Sequence, residues 1–152
     1  MSFSAQDVKD LREKTGAGIM DCKKSLEEAN GDMKKAEELV KARGLAKAEK
    51  KADRETKEGF IGSYVHTTGK IGVLVELLCE TDFVGRNDEF QNLARQIAMH
   101  VSVSEAKSVE ELLKEESIRD ASVTIGDMVK QLSGKIGEKL VLNRFVRYVV
   151  GE

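Results

Sequence analysis

The sequence predicts an α+β fold, in which a small three-helix module at the amino terminus is followed by a core of three-stranded antiparallel sheet packed with helices. Two observations carry this expectation. Apolar residues recur at helical spacing with fresh cap signals up to about residue 44, and beyond residue 58 the period changes to two. A chain of 152 residues with 40% hydrophobic composition can close one core and a small satellite, and no more.

The elements follow in order. Ser4 and Asp7 form a capping-box pattern, and Phe3 can staple onto Val8, which fixes the start of the first helix. Ala5, Val8 and Leu11 share its apolar face, and Thr15-Gly16-Ala17-Gly18 ends it. Ile19, Cys22, Leu26 and Ala29 mark a second helix, closed by Asn30-Gly31. Asp32 can cap a third, which carries Met33, Ala36, Leu39 and Val40 and is expected to stop at Gly44. Residues 1–44 thus match a ubiquitin-associated module in size and turn placement, and such modules usually bind proteins. Residues 45–58 are rich in alanine and charge and lack a sustained apolar stripe, as a solvated linker with room for partial helix would.

In the core domain, residues 59–152, Ile61, Ser63 and Val65 alternate with Phe60, Gly62 and Tyr64. Thr67-Thr68-Gly69-Lys70 then turns the chain into a second alternating run, Ile71 to Leu78. A polar loop is expected next. Asn87 and Asp88 offer caps for a helix whose stripe is Phe90, Leu93, Ala94, Ile97, Ala98 and Val101. Ser108 with Glu111 and Thr124 with Asp127 open two further helices, both expected to cover one sheet face. Lys139–Val150 is dense in β-branched and aromatic residues and is expected to be the third strand. Apolar residues fall on both faces of this strand and, through Leu74 and Leu78, of the hairpin. An antiparallel sheet normally wets one face, so the excess points to a second subunit.

Composition excludes several functions. Lys+Arg 25 against Asp+Glu 27 gives a net charge of −2, which offers no positive field for nucleic acid. No apolar run is long enough to span a bilayer and the first residues carry no targeting pattern, so the expected location is cytoplasmic. Cys22 and Cys79 lack the paired spacing of a metal or redox motif and suit reduced core thiols. His66 and His100 have no spaced carboxylate or cysteine, so neither a catalytic triad nor a metal site is expected. Gly16-Ala17-Gly18 follows a helix and lacks the lysine of a phosphate loop. The chain is therefore read as a non-enzyme without cofactor. The odd feature is Cys79-Glu80-Thr81-Asp82-Phe83-Val84-Gly85-Arg86-Asn87, which sets a large aromatic among charges where a connection ought to be polar. Phe83 folded back as a lid on the sheet is the commoner arrangement for such a residue, and a protruding anchor for a partner is the alternative.

Two stretches carry a resemblance. Leu11-Arg12-Glu13-Lys14-Thr15-Gly16-Ala17-Gly18-Ile19-Met20-Asp21-Cys22-Lys23-Lys24-Ser25-Leu26 resembles the amino-terminal signature of the elongation factor Ts family, and Cys79-Glu80-Thr81-Asp82-Phe83-Val84 is similar to its second signature. Lys135-Ile136-Gly137-Glu138 and Arg144-Phe145 are similar to its closing strand.

The resemblance implies a guanine-nucleotide exchange factor that binds elongation factor Tu in its GDP-bound and nucleotide-free states. It implies contact positions at Arg12, Ile19 and Met20, Ile19 standing where a methionine is common. It also implies that Thr81, Asp82, Phe83 and Val84 form the segment that dislocates the partner's Mg²⁺, with Phe83 inserted between partner helices. Longer family members have two related core halves and a coiled-coil protrusion; this chain has the hairpin, helices and closing strand of one half, and shorter members pair as homodimers. A general protein-binding adaptor is the competing function, and it does not require Asp82 and Phe83 to be exposed.

Overall fold

The capping box at Ser4 sets where the chain first becomes helical. In the computed structural model, which describes residues 2–152 apart from the side chain of Ala48, the Asp7 amide donates to Ser4 Oγ at 3.2 Å and the Ser4 amide to Asp7 Oδ2 at 2.7 Å. The two amides satisfied there are among those a helix start leaves unpaired. The chain divides into two compact units, residues up to Asp53 with Lys130–Glu138, and Arg54–Val129 with Lys139–Glu152.

In the first unit α1 (Ala5–Thr15), α2 (Ile19–Glu28) and α3 (Met33–Lys50) enclose Leu11, Cys22, Leu26, Ala29, Ala36 and Val40. Gly16 closes α1 at φ 69°, its amide donating to Arg12 O, where a side chain would be strained. Asn30 at φ 51° and Gly31 at φ 83° turn the chain into α3, and Asp32 Oδ1 accepts the Lys35 amide at 3.1 Å.

Gly44 does not end this helix. α3 continues through Leu45 to Lys50, so the first six residues of the expected linker are helical. A mid-helix glycine costs only about 1 kcal/mol against alanine. Ion pairs from the same helix back to α2, Arg43 to Glu28 and Lys47 to Asp21, favour its continuation. Beyond its end the buried Lys51 extends Nζ to the Ser133 carbonyl at 3.0 Å.

The second unit is built on a sheet of order β1-β2-β3, with β1 (Glu58–Val65), β2 (Ile71–Cys79) and β3 (Val141–Val149) antiparallel throughout. Alternation sends Val73, Val75, Leu77 and Cys79 to one face, where they are buried. There α5 (Asp88–Val101), capped by Asn87, packs its stripe of Phe90, Leu93, Ala94, Ile97, Ala98 and Val101. Gly62 on β1 permits the approach, because a Cβ there would lie 2.6 Å from the Ala94 carbonyl group.

His100, at the end of α5, is buried and structural. Its Nε2 lies 2.6 Å from Glu115 Oε2, and its Nδ1 accepts the Ile118 amide at 3.3 Å, which pins the segment after α6 (Val109–Lys114). The expectation that two later helices cover one face fits α6, which approaches β3. α7 (Ile125–Ile136) is divided between the units, with Ile125–Val129 in the second and its residues from Lys130 on in the first.

β3 departs from a regular strand at one point. Glu76 pairs with Arg144 but Leu77 with Leu142, which leaves Asn143 as the extra residue of a β-bulge. The bulge brings two successive side chains onto one carboxylate: Asn143 Nδ2 reaches Glu76 Oε1 at 2.6 Å and Arg144 Nε reaches Oε2 at 2.9 Å. These bonds, Asn143 first, hold the Glu76 carboxyl below its ordinary pKa.

Candidate functional site

The segment after β2 forms a single helical turn, α4 (Asp82–Gly85), instead of the expected polar loop. Thr81 is its cap. Its Oγ1 accepts the Val84 amide at 3.3 Å, while its carbonyl lies 3.2 Å from Cys79 Sγ. The turn seats inward through Val84 and Gly85, both buried; a Cβ on Gly85 would lie 3.3 Å from the Gly59 carbonyl oxygen. Gln91 Nε2 holds the Gly85 carbonyl at 3.1 Å, and Arg86 pairs with Asp82 on the outer side.

The consequence is a sharp division of the four residues singled out by sequence. Phe83 is 85% exposed and Val84 is 6% exposed. The lid arrangement is thus excluded for Phe83, which stands outward with the exposed Asp82 and Thr81 beside it. Val84 is the anchor of the turn and presents very little surface of its own. A phenyl ring this exposed, held on a turn capped at both ends, is suited to enter a groove on another protein.

The other predicted positions belong to the first unit. Arg12 is exposed on α1, and Ile19 and Met20, at 54% and 62% exposure, occupy the first turn of α2. Beneath them Cys22 is buried, and that burial raises its thiol pKa. Among the described residues no cluster of three or more His, Cys, Asp or Glu could hold a metal ion.

The excess apolar residues of the sheet are evident in the sequence, but the single surface they form is not. Ile61, Val65, Leu74 and Tyr148 are each at least half exposed on the face away from α5, with Val146 among them. The signal was available in the alternate positions of all three strands.

The family model described as elongation factor TS matches residues 80–152. The elongation factor Ts of Fervidobacterium nodosum is 45% identical over an alignment of 197 positions, gaps included, with both chains covered in full. The chain belongs to the elongation factor Ts family. That of Prochlorococcus marinus strain MIT 9313 is 43% identical over 98% of this chain and 89% of its own. The elongation factor Ts of Aquifex aeolicus is 50% identical over 97% of this chain, which spans 53% of that relative's length. Elongation factor Ts proteins are nucleotide-exchange factors of translation elongation, a task that calls for contact surfaces in place of bond-making groups. Among the described residues no helix is long and apolar enough to cross a membrane.

Proposed function

We propose that this chain binds elongation factor Tu·GDP in the cytoplasm and speeds GDP release, with Phe83 as the wedge and Arg12, Ile19 and Met20 as the docking contacts of the amino-terminal module. The single observation that carries the wedge is the 85% exposure of Phe83 on a capped turn. Exposed phenyl surface in water is unfavourable, and a fixed ring loses little freedom when it enters a groove.

The chemistry acts on the partner. Mg²⁺ needs near-ideal octahedral oxygen geometry and bridges nucleotide phosphates, so a small displacement of the helices around it weakens the ion and GDP together. In this reading Phe83 imposes the displacement, Asp82 adds polar contact, and Thr81 and Val84 fix the turn from which the ring projects. Linkage requires the nucleotide-free partner to be bound more tightly than the GDP form by the factor through which GDP is weakened.

A homodimer completes the reading. The uncovered sheet face with Ile61, Val65, Leu74 and Tyr148 is apolar surface of the kind that a second copy would bury.

The decisive measurement is release of a fluorescent GDP analogue from elongation factor Tu. Acceleration by the wild type and its loss in Phe83→Ala are expected. No acceleration by the wild type rejects exchange activity, and normal exchange by Phe83→Ala rejects the wedge.

A further inference from the structure

The uncovered sheet face is not uniformly apolar. At its middle, between Leu74 and Val146 on one side and Leu78 and Val141 on the other, lies the Glu76–Arg144 pair with Asn143. Its two members differ in what they have left to offer. The Arg144 guanidinium engages Glu76 through Nε, its terminal nitrogens make no further bond among the described residues, and its side chain is 77% exposed; each Glu76 oxygen accepts one bond and has capacity for another.

An apolar partner seated on this face would strip water from those terminal N–H groups without replacing their hydrogen bonds, which is costly for a charged group. The face therefore favours an occupant that presents a carboxylate opposite Arg144 and a guanidinium opposite Glu76. The same face turned about a two-fold axis meets both requirements, because residues of an isologous interface exchange reciprocally. Packed sheets lie about 10 Å apart, a gap that facing arginine and glutamate side chains bridge. Resting on the dimer proposed above, we infer that this face recognises a second copy of the chain through reciprocal pairing of Arg144 with the partner's Glu76, so that the polar centre sets the register in which the surrounding apolar residues meet. Such pairs contribute to specificity and register more than to affinity.

Charge reversal tests this. Molar mass is measured by sedimentation over a range of concentrations for the wild type, Glu76→Arg, Arg144→Glu, the double reversal and an equimolar mixture of the two single variants. The expected result is dimeric wild type, single variants whose dimer dissociation constants rise about a hundredfold, and recovery in both the double reversal and the mixture. In the mixture each chain supplies the charge that the other lacks. The double reversal preserves the pair within each chain and so controls for folding. Arg144→Gln, a milder change at an exposed side chain, is expected to weaken dimers while leaving the thermal transition of the dissociated chain in place. Single variants as dimeric as the wild type, or a mixture that fails to recover, overturn the reciprocal pairing and leave the dimer standing. A wild type that stays monomeric overturns both.

Discussion

Phe83 and Val84 are neighbours in sequence and opposites in environment, one 85% and the other 6% exposed across a single peptide bond. The division makes them separable by mutation. Phe83→Ala is expected to leave unfolding stability within about 0.5 kcal/mol of wild type, because an exposed ring has little native packing to lose. Val84→Ala should cost about 1–3 kcal/mol through lost burial and a small cavity. Urea midpoints at a fixed m-value check both.

Gly62 and Gly72 give a second contrast on the same hairpin. Gly62→Ala drives a Cβ to 2.6 Å from the Ala94 backbone, so α5 must lift from β1. A loss of about 1–3 kcal/mol is expected from overpacking. Gly72 has nothing within 4 Å of the same position, and Gly72→Ala should be neutral or slightly stabilising through the unfolded chain. Paired thermal melts decide the matter, and equal losses at both sites would contradict the packing described.

Acid should expose the contribution of Glu76. Its folded pKa is lowered, first by Asn143 and then by Arg144, below the roughly 4.3 of a free glutamate. The unfolded chain therefore takes up this proton first on acidification. The stabilisation is present above about pH 4.3 and is lost as pH falls through the folded value. Urea midpoints between pH 7 and pH 3 should decline more steeply for wild type than for Glu76→Gln, whose amide cannot titrate. Asp7 and Asp120 are also lowered, and they remain in both chains.

Thiol chemistry should be silent until the fold opens. Cys22 and Cys79 are both buried and outside any disulfide, and burial raises the Cys22 pKa, leaving little thiolate at neutral pH. Intact mass after brief alkylation at pH 7.5 should show an unmodified folded chain and two adducts in denaturant. Rapid labelling of the native protein would contradict the burial.

Most helix starts were legible in the sequence because capping is local. Ser4, Asp32, Asn87, Ser108 and Thr124 each accept the amide that their spacing foretold. Gly44 misled for the opposite reason. Whether a helix survives a glycine depends on what its next turns touch, here Glu28 and Asp21 across on α2, and propensity carries no information about that. The outward stance of Phe83 was likewise hidden, since it depends on Thr81 capping a turn whose inner side fits against Gly59. Composition alone favoured the lid, and the family resemblance pointed the other way. The bulge at Asn143 left no trace in a strand already apolar on both faces.

That bulge makes β3 a strand with two reading frames. Leu140 and Leu142, both even-numbered, are buried, while after the extra residue it is the odd-numbered Phe145 and Arg147 that share the face of Val75 and Val73. Asn143 is thus a phase shifter. A chain lacking this one residue would be compelled to keep only one half in phase, either exposing Leu142 or turning the Arg144 end of the strand inside out. Exchange of its side chain is therefore expected to cost far less than loss of its peptide unit, because what it supplies first is a count of one.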